Sequence, residues 1–414
     1  MERDLNSTDA GGDKTVVLNC ASLVREARLG KLENVSGKAP GCIYLWHEIF
    51  GKDLITTDYS PELRFRRRVF KSAIHVFGAG IEQVSERAGH SVNIAIKEID
   101  SHEGKPFSPR GILESSILVQ LWEWLTSKKL QLNDSVIKSP SYLPTQTNRD
   151  IKRAKHIRNT VFPKEYHAQK EAYSPGVIRN LTDSFISCYE KEITKEANQD
   201  IGSMDDTAGL MCDVTFAGSD TTSSSLAWLF LYMVSYPDIQ EKVHKELDVV
   251  VGSDRLPSWK DVRNMPYLQA TLWEVQRVSG MMVVIGTSAI RDMTIGGYDV
   301  PKGTFVAVNL AKLHHDEREW PEPEKFKPER FLDSDGQFVG WNKLNGFLLF
   351  SIRRRQCAGQ PLAKIMLFTF ASILLHYYKI ELPEGEKIPS TEVSEAALIR
   401  RPKDFKIVAK KRKD

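Results

Sequence analysis

Cysteine is scarce in this chain. The 414 residues hold five, Cys20, Cys42, Cys188, Cys212 and Cys357. The number is odd, the positions are scattered and no C-x-x-C pair occurs, which excludes a disulfide framework and a zinc or dithiol motif. A reducing compartment is the natural setting. Long apolar runs are missing as well. The longest, around 226–234 and 365–378, fall short of the roughly 20 residues a bilayer span needs, so each reads as a buried helix. The first residues, Met1, Glu2, Arg3 and Asp4, carry no apolar stretch of signal-peptide type. Charge of one sign does not dominate: 57 basic against 54 acidic residues leave a net +3. No global field therefore draws the chain to nucleic acid, and aromatics for base stacking are not interleaved with the arginine clusters. With no internal repeat and no Pro/Gly/Ser-rich linker, a single domain over 1–414 is expected.

What is present is the composition of a globular protein, 41% hydrophobic and 27% charged, enough at this length for a large core. Apolar spacing predicts helices over 183–196, 209–250 and 258–278, and the first half reads as mainly helical. Between Val283 and Leu310, β-branched residues alternate around Gly296, Gly297, Pro301 and Gly303, the texture of short strands joined by tight turns. Helix returns near Ala311, 321–349 reads as an aperiodic packed meander, and 360–378 as a buried helix. The fold class is mainly α with a small β region.

Three segments could carry chemistry. The window Phe350, Ser351, Ile352, Arg353, Arg354, Arg355, Gln356, Cys357, Ala358, Gly359, followed by Pro361, Leu362 and Ala363, is a basic, aromatic-led loop entering a helix. Such a loop could hold a thiolate against a metal, temper it with backbone N–H groups and place cations near an anionic ligand. Taken alone, Cys357 is better read as one more buried structural cysteine. Glu274 and Arg277 form an E-x-x-R on a predicted helix face, where they can pair, and Pro328, Glu329, Arg330 and Phe331 follow in the meander. In Ala217, Gly218, Ser219, Asp220, Thr221, Thr222, a glycine costs about 1 kcal/mol against alanine in a helix, so something other than propensity favours it. Small residues admit either a neighbouring helix or a flat ligand.

The order and content of these segments resemble the cytochrome P-450 family, over nearly the whole chain from about Lys14. The family's haem loop, F-x-x-G-x-R-x-C-x-G, is matched at Phe350, Arg355, Cys357 and Gly359 and departs at Arg353. The placement resembles the animal microsomal branch that includes steroid-hydroxylating and drug-metabolising members. Gly51, Lys52, Asp53, Leu54 before Tyr59, Ser60, Pro61, and Leu313, His314, His315, Asp316 before Trp320, support it. The resemblance implies a cytochrome P-450 fold binding haem b, with Cys357 as the iron ligand and Phe350, Arg355, Arg67, Ala217 and Gly218 around the cofactor. It implies Asp220 and Thr221 as proton-delivering residues, and a buried Glu274, Arg277, Arg330 network beneath the haem. It further implies monooxygenation of an apolar substrate such as a steroid, fatty acid or xenobiotic. Electrons would come from NADPH through NADPH-cytochrome P-450 reductase, with cytochrome b5 as a second donor, at the cytosolic face of the endoplasmic reticulum membrane. That branch carries an N-terminal anchor, and from its polar start this sequence is expected to be without one.

Four departures accompany the resemblance. Leu63 stands where a propionate-holding Trp is usual, Thr287 where a His often does, Gly280 where a Pro follows the E-x-x-R, and Arg353 where the loop has Gly. They define the rival expectation, a degenerate member that binds haem or sterol poorly and does not turn over. On that view haem occupancy is low or labile and Arg353→Gly raises it. Arg66, Arg67 and Arg68 with Arg353, Arg354 and Arg355 form a candidate docking patch for an acidic reductase.

Overall fold

The computed structural model describes residues 4–10, 13–30, 34–37, 53–55, 57–78, 81–131, 148–195, 201–340, 344–392 and 399–412. Cys42, Gly51 and Lys52 lie outside the described residues. The first half departs from the helical expectation at its start. Strands β1 (Leu5–Ala10) and β2 (Asp13–Leu18) form an antiparallel pair. They persist because β2 adds in parallel to a strand distant in sequence, Val17 opposite Ala307.

Helix α1 (Ala21–Arg25) continues into a π turn, Glu26–Gly30. Among the described residues five helices follow: α2 (Pro61–Gly78), α3 (Ile81–Asp100), α4 (Pro109–Thr126), α5 (Asn148–Glu171) and α6 (Leu181–Ile193). The last begins where Asn180 accepts the Asp183 N–H at 2.9 Å, a side-chain cap for an otherwise orphaned donor.

The helix expected over 209–250 is two, α7 (Asp206–Ser235) and α8 (Pro237–Val250). Pro237 has no N–H to continue the first and pushes Tyr236 off helical geometry, to φ −131 and ψ 73. Likewise 258–278 divides into a 3-10 turn, Trp259–Asn264, capped reciprocally by Ser258 and Asp261, and α9 (Pro266–Val278) with proline at its first turn. Strands β3 (Val284–Ser288), β4 (Met293–Ile295), β5 (Tyr298–Val300) and β6 (Phe305–Asn309) fill the expected β region. The main sheet runs β1-β2-β6-β3, and β4 pairs with β5 across Gly296 and Gly297. Short α10 (Leu310–His314), the meander, α11 (Gln360–Tyr377) and a β7 (Tyr378–Glu381)–β8 (Val408–Lys411) pair complete the chain.

Helix α7 is buried along most of its length because it runs through the centre. Leu226, Trp228, Leu229, Leu231 and Met233 are buried, and α4, α5, α9 and α11 pack around it. Among the described residues no helix is long and apolar enough to cross a membrane.

Candidate active site

The Cys357 loop is pinned by its own backbone and by α2. Cys357 N–H donates to Phe350 O at 2.8 Å, Phe350 stands edge-on to Trp273 at 5.9 Å, and Arg67 donates to Gln356 O. Arg354 donates to the Tyr59 hydroxyl and lies over its ring. Arg355 sends Nε and Nη2 to Ser36 O at 3.0 and 2.6 Å and Nη2 to Thr57 O at 2.9 Å. Its Nη1 is buried with no acceptor.

Residues Arg353–Arg355 form a right-handed 3-10 turn. The left-handed position in this loop is Ser351, at φ +55, so a cost for non-glycine backbone falls there and not at Arg353. The direction of the Arg353 side chain lies outside the described residues.

Cys357 is exposed, the only such cysteine among the described residues, yet it is desolvated. Burial pushes its thiol up, opposed by the Gly359 and Gln360 N–H groups and the Arg67 charge.

Of the arginines expected to form a docking patch, Arg66 is buried, 3.8 Å from Asp206, and Arg355 donates to backbone carbonyls, whereas Arg68 is exposed and pairs with Glu192 at 3.2 Å. Arg66 lies three residues from both Leu63 and Val69, on the face of α2 that packs inward.

On α7, Ala217 is exposed and Gly218 and Thr221 are half-buried, although the helix on both sides of them is buried. A Cβ on Gly218 would approach the Leu121 side chain of α4 at 3.1 Å, so the glycine also serves close helix packing. Thr221 Oγ1 donates to Ala217 O at 2.7 Å. Asp220 is buried and its Oδ1 accepts Arg401 Nε at 3.0 Å and Arg401 Nη2, while Oδ2 has no hydrogen-bond partner. Burial raises the Asp220 carboxyl and Arg401 pulls it down. Arg401 was not singled out in the sequence, where its only signal is the basic pair Arg400, Arg401.

The E-x-x-R geometry is closed. Arg277 Nε and Nη2 donate to Glu274 at 2.7 and 2.8 Å with both side chains fully buried, and Arg330 Nε reaches Glu274 Oε1 at 3.3 Å. Arg277 also donates to His314 O at 2.6 Å and Pro323 O at 2.8 Å, tying α9 to the meander. Gly280, two residues beyond α9, has φ +56, a left-handed step that glycine takes without strain after a helix end and proline cannot take at all.

His314, buried and stacked on Phe347 at 5.3 Å, is held neutral, its imidazole pushed down to about 3 by burial and then by Arg277. Above about pH 6.5 both folded and unfolded forms leave it unprotonated. As pH falls, the unfolded chain takes the proton first, so the stability contribution is full above pH 6.5 and is lost on acidification towards pH 3. The slope from this group is about 1.4 kcal/mol per pH unit, or about 2 kcal/mol between pH 7 and 5. Urea midpoints at the two pH values check it: His314→Phe should remove that increment, and an unchanged difference would refute the assignment.

Sequence reasoning missed one further side chain near the Cys357 loop. Arg28, in the π turn after α1, is buried and donates to Ser351 Oγ at 3.5 Å. Of the two residues at the usual propionate positions, Leu63 is wholly buried in the core and Thr287 donates to Val35 O at 3.3 Å.

Among the described residues no cluster of His, Cys, Asp and Glu forms a metal cage. A metal taken by Cys357 must therefore bring ligands of its own. The Arg355 Nη1 without an acceptor fits an acid nearby, and the accessible sulfur fits a metal that carries its own ligands. Haem b meets each requirement. A family model, Cytochrome P-450, matches residues 116–409. The chain is 30% identical to a steroid 17-alpha-hydroxylase/17,20 lyase of Ictalurus punctatus, over 99% of this chain and 84% of that one. It is 30% identical to human cytochrome P-450 2D6 over 94% and 82%. A zebra fish cytochrome P-450 solved with progesterone superposes with a TM-score of 0.88 at 26% identity, covering 99% of this chain and 96% of that chain. A thiol-bearing loop, the E-x-x-R junction and the opened central helix thus coincide with a match over most of the sequence, and the chain belongs to the cytochrome P-450 family of haem-dependent monooxygenases.

Proposed function

We propose that the chain inserts one oxygen atom of dioxygen into a C–H bond of an apolar substrate of steroid size. NADPH-cytochrome P-450 reductase would supply electrons, with cytochrome b5 as a second donor, at the cytosolic face of the endoplasmic reticulum. The observation that carries this reading is the break in burial at Ala217, Gly218 and Thr221 on α7, beside the buried Asp220–Arg401 pair. Haem, held by Cys357, would supply the reductive activation of dioxygen. Cys357 holds the ligand position, with the Gly359 and Gln360 N–H groups and Arg67 moderating its charge. Arg355 binds a carboxylate at the cofactor's edge through Nη1.

Thr221 offers a hydroxyl whose present acceptor is the Ala217 carbonyl, so it can turn between that oxygen and the space beside it. Asp220 places a carboxyl one residue away, its hold on a proton raised by burial, which outweighs the opposing pull of Arg401. Together the hydroxyl and the carboxyl make this pair the source of protons for the reaction. The steroid-processing relative and the progesterone-bound neighbour support an apolar, steroid-sized substrate.

The test is product formed per NADPH consumed. Thr221→Ala should keep haem and the carbon monoxide spectrum yet cut coupled product by about 100-fold, NADPH going to peroxide instead. Unchanged coupling would remove Thr221 from the mechanism. Wild-type protein that carries haem but forms no product with reductase present would favour the degenerate reading.

A further inference from the structure

Buried guanidinium groups need an acceptor for each N–H and a nearby negative charge, because burial removes the water that would otherwise supply both. Arg28 has neither. It is 5% exposed, its single hydrogen bond is the long one to Ser351 Oγ, and its Nε is buried with no partner. Burial and the charge of Arg355 together push it down to about 10. On the same loop stand Arg355, whose Nη1 is buried with no acceptor, and Arg67, which donates to Gln356 O. No carboxylate is among the groups acting on Arg28. Three cations are thus gathered at one edge of the Cys357 loop, two of them with inward N–H groups left over. Such an arrangement is costly unless an anion completes it.

We propose that Arg28 binds a haem propionate jointly with Arg355, taking over the anchoring that Leu63 and Thr287 do not provide. This rests on the haem reading above. Leu63 is buried in apolar core and has no donor, and the Thr287 hydroxyl is already committed to Val35 O. Arg28 approaches the Cys357 loop at Ser351, out of the π turn that follows α1. The turn matters, because an extra residue in the helical ring rotates the following side chains relative to a regular helix. The carboxylate would sit between Arg28 Nε and Arg355 Nη1, a charge-assisted contact on each side.

The experiment uses the full chain loaded with haem or with haem dimethyl ester, whose propionates carry no charge, and follows loss of each to a haem-scavenging globin. Arg28→Leu should release haem on the order of 10- to 100-fold faster, as expected for one lost charged hydrogen bond. Loss of the diester should be nearly the same in wild type and variant, and Arg28→Lys should restore part of the retention. Arg28→Gln, close in size and uncharged, keeps the test open should the leucine variant not fold. Equal haem loss from wild type and Arg28→Gln would overturn the proposal, as would an equal acceleration for haem and diester, which marks a packing effect. Failure of the wild-type chain to take up either cofactor would instead overturn the haem reading itself.

Discussion

Cys357→Ser is expected to abolish the thiolate-type carbon monoxide band completely and to stop turnover, while the same change at Cys20, Cys188 or Cys212 leaves both intact. The other three described thiols are buried. Cys188 and Cys212 are pushed up by desolvation, Cys212 further by neighbouring Asp213, so neither offers a thiolate. Cys20 contacts Ser22 at 3.2 Å, far from the loop in sequence. Cys357 differs in presenting surface, in two backbone N–H groups aimed at its sulfur, and in Arg67 beside it. Desolvation still raises its thiol, so the ligand state depends on a cation arriving to favour the thiolate. The protein should fold without the sulfur. Serine preserves the loop because the bond that shapes it, Cys357 N to Phe350 O, is a backbone one. Reduced carbon monoxide difference spectra of the four variants, with Cys42→Ser as a fifth, decide the matter. A retained band in Cys357→Ser would sink the reading of this loop.

The parts of this site that were legible in sequence are those set by local spacing. The three-residue step from Glu274 to Arg277 puts both on one face of α9, and the apolar run of 365–378 can only be a buried helix. Cys357 and Phe350 were legible because a single tight loop holds them. What escaped is long-range. Asp220 finds Arg401 across 181 positions and Arg28 reaches Ser351 across 323, and no periodicity reports such pairs. The β1–β2 pair escaped for the same reason, since its partner β6 is distant. Two misses had a local signal. Pro237 and Pro266 each mark a helix start, and the inward position of Arg66 follows from its spacing to Leu63 and Val69. Within the arginine run near 66, helix phase turns Arg66 inward and leaves Arg68 exposed.

Arg277→Met should lower stability by about 3–5 kcal/mol, a large share of the roughly 5–15 kcal/mol that holds a typical domain together. Methionine replaces the guanidinium stem but supplies none of its N–H groups. Glu274 would remain fully buried with only Lys327 N at 2.9 Å and Arg330 Nε at 3.3 Å as donors. The carbonyls of His314 and Pro323 would lose their Arg277 donors in the same step, so α9 would separate from the meander that it anchors. Arg330→Met should cost less. Its contact to Glu274 is longer and its other donations go to the carbonyls of Pro321 and Glu322, which lie where water can replace it. The double variant Glu274→Leu with Arg277→Met removes both charges, and its loss should be smaller than that of Arg277→Met alone, because no buried charge is stranded. Urea unfolding followed by far-ultraviolet circular dichroism gives the order: Arg277→Met most damaging, then the double variant. A double variant clearly worse than Arg277→Met would show that the carbonyl contacts, and not the stranded carboxylate, dominate this junction.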